Sequence, residues 1–369
     1  MFTKDNIGAF LEGLAILGTG GGGSPEWGRI IMENDLEKGR AAKIVKPEDV
    51  PDDAVVASGG IMGSVKVLDK IHPQELIDRW EKRFELTEAF SLQAETIGKK
   101  IDYIVAFEMG GLNTPVMLSL GARTGIPVID GDGLGRAAPE TQMISFIGYG
   151  VSLTPMPLVD AVGNSVVVRS GAENTFADML GRWVVTRGGG MGANSHYPMS
   201  GKKLKEAVIP NTISGALALG EAVLKARTEN RDPVAVIAGI VCGKHVHTGV
   251  IHKLEEKEWE GFYFIHAELS GGAELVIKNE YMALFIDQKP VTVFPDFILG
   301  LDPKTGRGLM SADLQVGDEM ALVVCPCHPR LRGALDSIAG QHAFSPARFG
   351  QPDLIYQPVE QLLLGKFQV

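Results

Sequence analysis

Ile7, Phe10, Leu11, Leu14 and Leu17 recur three and four positions apart at the start of the chain, the spacing of a helix with one buried face. Glycine then fills Gly18, Gly20, Gly21, Gly22 and Gly23, and Ser24-Pro25-Glu26 reads as the N-cap and first turn of a second helix. Beyond it the pattern changes period. "DDAVVASGGIMGS" reads as a buried strand from Ala54 to Ser58 that runs into a glycine turn. "HPQELIDRWEKRFEL" is amphipathic at helical spacing, and "IDYIVAFEMGGLNTP" is a second strand ending in glycines. "PVMLSLGARTG" reads as a helix closed by Gly125, and "IPVIDGDG" as a third strand. Strand, helix and strand joined by short connections predict parallel pairing and a three-layer α/β domain. In open sheets of this kind ligands sit at the carboxyl ends of the strands, here Ser58–Gly63, Glu108–Thr114 and Asp130–Gly135.

"MPLVDAVGNSVVVRS" predicts a hairpin around Gly163-Asn164, followed by helical segments at Ala172–Thr186 and Thr212–Arg227. From about residue 234 to 324, β-branched alternation predicts strands in "VAVIAGIVCGKHVHTGVI", "GFYFIHAEL", "AELVIKNEYMALFI" and "EMALVVC", with "LDPKTGRG" as a turn. The expected organisation is an N-terminal three-layer α/β domain over 1–168 and a C-terminal domain over 169–369, rich in strands with some helices.

Composition narrows the partners. The chain has 369 residues, 45% of them hydrophobic, and a formal net charge of −10. It can bury a substantial core, and it carries no basic, aromatic-interleaved cluster of the kind that binds nucleic acid. Neither a membrane-length apolar run nor a basic-then-apolar leader is present, and three cysteines are too few for a disulfide framework. The expectation is a cytoplasmic protein with a small-molecule substrate, no nucleic-acid or membrane partner, and assembly as a homo-oligomer.

Candidate chemistry concentrates in three places. The glycine loop at Gly20 to Gly23 can present backbone amides to an anion, or can simply let segments pack closely. Gly18, Gly20 and Gly23 fit a dinucleotide-type spacing, but a helix precedes them where that motif needs a strand, and no Lys follows as a Walker loop requires. "VIDGDGLGRAAPE" gathers Asp130, Asp132, Arg136 and Glu140. Its two acids can serve as general base, hold a divalent metal, or cap the next helix, while Arg136 can clamp an acidic side arm. Glu108 follows the apolar run "YIVAF", where a carboxylate must be paired, metal-bound or catalytic, and Asn113 lies just beyond it. Asp160 and Asn164 read as turn residues, and His196 and His266 as structural. His245, His247, Cys325, Cys327 and His328 lack zinc-site spacing, so the cysteines are expected to be free thiols.

"LGTGGGGSPEWG", "EMGGLNTP", "IPVIDGDGLGRAAPE" and "FPDFILGLDPKTGRG" together resemble the S-methyl thiohydantoin desulfurase family, across nearly the whole chain. The β-rich C-terminal region is similar to part of the hydantoinase A and 5-oxoprolinase subunits. The resemblance implies hydrolysis of a five-membered cyclic amide or thioamidine. In that reading Asp130, Asp132 or Glu108 activates water, directly or through a metal, while Gly20–Gly23, Asn113, Arg136 and Glu140 bind substrate. A ligand-binding or regulatory subunit using the same pocket without chemistry is the alternative, and it predicts carboxylates paired to Arg136.

Overall fold

The computed structural model describes residues 2–63 and 71–364. A mixed sheet forms the first layer system, in the order Ile44–Val45, Val128–Asp132, Tyr103–Ala106, Val55–Gly63, Met191–Ser200, Met156–Asp160, Ser165–Val168. The first four strands are parallel, joined by helices Pro73–Lys82, Glu85–Ile97 and Asn113–Thr124. The remaining three strands of this order pair antiparallel.

Strand alternation divides the core into two faces. Ala57, Ile104, Ala106, Val128 and Ala193 point into one cluster with Phe10, Trp80, Phe90 and Val116 of the flanking helices. Val56, Val105, Ile129 and Tyr197 point the other way, with Phe146 and Leu204 from short helices at Ser145–Gly148 and Gly201–Ala207. Helix Thr175–Arg187 covers Met62 and Leu158 beside them. The three layers are therefore helices, sheet and helices.

The second sheet is wholly antiparallel, in the order Lys289–Val293, Glu280–Ile286, Ala273–Lys278, Phe262–Leu269, Lys244–Trp259, Glu319–Cys325, Phe297–Leu301. One face encloses Ile265, Leu275, Ile277, Leu284, Ile298 and Leu322. The other face sends Met282, Ala283, Val293, Leu299 and Val323 into the core of the first sheet. Two halves of the chain thus share one buried apolar mass.

Three local expectations change. The glycine run after Ser58 does not turn: the strand continues to Gly63 because Gly59, Gly60 and Ile61 pair with Ser195, Asn194 and Ala193 of a strand the hydrophobic pattern did not reveal. "VAVIAGI" is helix, Pro233–Ile240, because Asp232 accepts from the amides of Val234 and Ala235 and Pro233 occupies the first turn. "AELVIKNEYMALFI" is two strands, folded back at Asn279 with φ of +56° so that Lys278 pairs with Glu280. The hairpin at 156–168, the Ser24 cap and the left-handed Gly125 stand as read.

Candidate active site

A cavity of about 240 Å³ opens between the carboxyl ends of the parallel strands and the edge of the second sheet. The glycine loop, the strand segment Gly59–Gly63, Glu108, Leu112, Asn113 and Ala138–Thr141 wall one side. Asn194 and His196 come from the neighbouring strand, and Asn279, Glu280 and Ser311 close the cavity from the second sheet.

The glycine loop owes its composition to close packing on both sides. A Cβ on Gly21 would lie 1.9 Å from Oε1 of Glu280, and one on Gly22, whose φ is +75°, would lie 2.5 Å from Cα of Gly110. At Gly22, against backbone and at positive φ, only glycine fits, whereas a side chain at Gly21 would displace the Glu280 carboxylate. The loop is also pinned by hydrogen bonds: Leu112 N donates to Gly22 O (3.0 Å), Tyr281 N to Thr19 O (2.8 Å) and Ser311 N to Gly20 O (2.8 Å). In return, Gly22 N donates to Oε1 of Glu280 (3.2 Å).

Glu108 and Glu280 are the fully buried acids on this wall that form no ion pair with a described residue. Glu108 is fixed where the second parallel strand has ended: Asn113 Nδ2 donates to its Oε1 (2.7 Å) and Ala138 N to its Oε2 (2.9 Å). Asn113 is itself held by Ile61 N, which donates to its Oδ1 (3.0 Å). Glu280 shares a strand face with Met282, two residues on, and so points toward the first sheet. Its Oε2 is buried without a hydrogen-bond partner among the described residues. Burial pushes the Glu108 carboxyl up to about 7, against the pull of Asn113, Ala138, Arg136 and Arg182. Burial, then the charge of Glu108, pushes Glu280 up to about 8. The two acids titrate as a pair. His196, also on the wall, is held neutral by burial, which lowers it to about 3, and its Nδ1 has no described partner.

The other acids read from the sequence have different occupations. Asp130 caps helix Thr212–Thr228, its Oδ1 accepting from Ile213 N (3.0 Å) and Ser214 N (3.1 Å) and its Oδ2 from Ser214 Oγ (2.6 Å). Asp132 turns back on its own loop to accept from the amides of Leu134 and Gly135. Neither lies on the cavity wall. A helix start and a tight loop, each with free amides, explain why carboxylates crowd that strand end. Arg136, fully buried, donates to the carbonyls of Ala137, Asp296 and Tyr281 and to Thr19 Oγ1, and stacks over Phe294. It ties the glycine loop to the second sheet with four of its five N–H donors and does not line the cavity. Glu140 reaches the wall but is ion-paired with Lys278 and Arg348. Asp160 accepts four hydrogen bonds within its hairpin turn.

Sequence reading passed over Glu280 and Asn194 and took His196 as structural. Their signal was faint but present: Lys-Asn-Glu interrupts an apolar strand, and "GANSHYPMS" carries polar residues where a buried strand proves to run. Cys325 and Cys327 are free and buried, the former paired in the sheet with Phe297. Among the described residues no three His, Cys, Asp or Glu side chains gather as they would about a metal ion.

The family description S-Me-THD-like, N-terminal domain, matches residues 5–170, and S-Me-THD-like, C-terminal domain, matches residues 172–359. No curated protein matches the chain. An X-ray crystal structure of a protein from Chromobacterium violaceum is similar in fold, with a TM-score of 0.76 at 21% identity, covering 97% of this chain and 99% of that one.

Proposed function

This chain belongs to the S-Me-THD-like family, and from that premise and the chemistry of the cavity we propose that it is an enzyme that hydrolyses the S-methyl thioimidate of a five-membered hydantoin-like ring. The observation that carries the reading is the pair Glu108 and Glu280: two buried carboxyl groups on one small cavity, raised into the neutral range, one of them with an unpartnered oxygen. A pair poised near neutrality can supply one base and one acid.

Glu108 suits the base, because two N–H donors already stabilise its anion. Glu280 suits the acid, because it has one such donor and the higher value. Water adds through oxygen to the carbon between the ring nitrogens while Glu108 takes its proton and Glu280 gives one to the adjacent imine nitrogen. The tetrahedral centre collapses: the C–S bond breaks, the C=O bond forms as its hydroxyl proton passes to the Glu280 carboxylate, and the proton held by Glu108 passes to sulfur. Both acids are thereby restored and the nitrogen keeps its proton, so ring and water give hydantoin and methanethiol. The ligand-binding alternative expects the acids to be paired to Arg136, which instead spends its donors on carbonyls and Thr19.

The test is thiol release from 2-methylthio-imidazolin-4-ones. Glu108→Gln and Glu280→Gln should each lower turnover about a hundredfold or more, the scale of losing a positioned acid or base. Asp130→Asn should retain near-normal turnover, since that residue caps a helix outside the cavity. Undiminished turnover in both Gln variants, or no thiol release from any such ring, would overturn the proposal.

A further inference from the structure

Besides its acids, the described cavity wall carries three carboxamides, Asn113, Asn194 and Asn279. Asn113 is spent on the protein: its Nδ2 donates to Glu108 (2.7 Å) and its Oδ1 accepts from Ile61 N (3.0 Å). Asn279 sits in the left-handed turn of the second sheet, and its Oδ1 accepts from Tyr263 N (2.8 Å). Asn194 is placed differently. Its backbone stands inside the first sheet, paired with Gly60 on one side and Leu158 on the other, and the residue is 2% exposed. No described residue bonds its carboxamide, which reaches the cavity. A buried amide with two donors and an acceptor to satisfy needs a partner of matching shape.

Cross-strand partners present their side chains on one face of a sheet, so the carboxamide of Asn194 stands beside Gly60. Glycine leaves a slot there. A Cβ on Gly60 would lie 3.3 Å from Oδ1 of Asn113, so the slot runs from Asn194 to the residue that holds Glu108. His196, two residues further along the strand and uncharged, flanks it with its ring set at 73° to that of Phe107.

The complement of a carboxamide is a planar cis-amide, and a hydantoin-like ring carries one: with the attacked carbon as C2, the ring offers N3–H beside C4=O. Oδ1 of an asparagine can accept from N3 while its Nδ2 donates to the C4 oxygen, two parallel hydrogen bonds that fix the ring in its plane. N3 is bonded to C2, so this pairing sets C2 toward Glu108 and leaves N1 as the imine nitrogen that Glu280 protonates. Resting on the reading that the site takes such a ring, we propose that Asn194 reads its lactam edge, selects the tautomer protonated at N3, and excludes rings substituted at that nitrogen.

The test is binding, by calorimetric titration of the whole protein at pH 7 with hydantoin and 3-methylhydantoin, the product ring with and without the N3–H. The parent should bind hydantoin about tenfold or more tightly, the scale of leaving buried hydrogen-bonding groups unpaired. Asn194→Ala, its fold checked by circular dichroism, should bring hydantoin down to the affinity of the methylated ring while that ring stays within about twofold of its parent value. Asn194→Ser serves the same comparison if the Ala protein has lost its fold. Glu280→Gln should keep the difference between the two rings, because its contact is with N1.

Equal binding of the two rings by the parent, or binding of neither, overturns the inference. So does an Asn194→Ala protein in which hydantoin is unchanged and the methylated ring gains, since that pattern is exclusion by size alone. The reaction fails separately. The expected binding pattern without thiol release from 2-methylthio-imidazolin-4-ones removes hydrolysis alone, and thiol release with no difference between the rings removes this inference alone.

Discussion

Glu280 accepts one hydrogen bond from the described residues where its two oxygens could accept four, and it keeps its place because Gly21 leaves room for it and Gly22 gives it an amide. Such a group is held neutral at a cost that depends on pH. Between the ordinary carboxyl value near 4.5 and the folded values of about 7 for Glu108 and about 8 for Glu280, the folded chain binds more protons than the unfolded one. Stability from this pair is therefore full below about pH 4.5 and is lost as pH rises through 7 and 8. From pH 6.5 to 8.5 the loss should be on the order of 2 kcal/mol, or roughly 3 °C in melting temperature for a chain of 369 residues. His196, lowered by burial to about 3, works the other way, and its gain with rising pH is mostly complete where that window begins. The measurement is a melting series across it, with Glu280→Gln beside the parent: the parent should fall and the variant should flatten. Parallel curves would mean that Glu280 is ionised throughout. Glu108 was legible from the sequence because a carboxylate after "YIVAF" has nowhere solvated to go, whereas Asp130 and Asp132 looked equally chemical but accept from the amides of a helix start and of a tight loop. A residue string does not say whether the nearest free amide belongs to a ligand or to the next helix.

At the scale of elements, the glycine loop is a spacer between two turns. It touches Gly110 on one side and Glu280 on the other, so its glycines serve packing and the siting of an acid together. Gly22→Ala has to push Gly110 aside at a positive φ and should destabilise the protein by roughly 2 kcal/mol or more. Gly21→Ala is different. Its added methyl collides with the end of a side chain, so the Glu280 carboxylate can swing away at small cost in melting temperature while turnover falls steeply. Kinetics and melting of the two variants separate the roles; a Gly21→Ala protein with normal turnover would show that the position of Glu280 does not matter to the reaction. The parallel strands and their helices were readable because each has one buried face at a fixed period. Strand Met191–Ser200 was not, since Gly192, Ala193, Asn194 and Ser195 are small or polar, and sheet neighbours on both sides bury them. Helix Pro233–Ile240 was missed for the opposite reason: its β-branched residues suit a strand until the Asp232 cap and Pro233 are weighed.

On the scale of the whole molecule, the site exists because two halves of the chain are folded against each other. Glu108 comes from the first, Glu280 from the second, and Arg136 bonds both Thr19 and the carbonyls of Tyr281 and Asp296 between them. The family descriptions meet between residues 170 and 172, yet Met191–Ser200 lies inside the first sheet, between Val55–Gly63 and Met156–Asp160. A fragment ending at residue 170 would lose that strand. It would cut the hairpin 156–168 off from the parallel strands, expose two strand edges, and bare Val105, Ile129 and Phe146 where Met282, Leu299 and Val323 belong to the same core. The expected result is a fragment 1–170 that aggregates or melts without a cooperative transition. The full chain should lose far-ultraviolet circular dichroism and tryptophan fluorescence at one temperature, since Trp27 and Trp80 lie in the first half and Trp183 and Trp259 in the second. Fragments 1–170 and 171–369 produced together should recover the cavity between Glu108 and Glu280, read as regained cooperative melting, because every described group on its wall is then present and the missing strand can enter the gap. A fragment 1–170 that folds cooperatively by itself would show that the first sheet closes without Met191–Ser200, and would place the shared core outside what holds that half together.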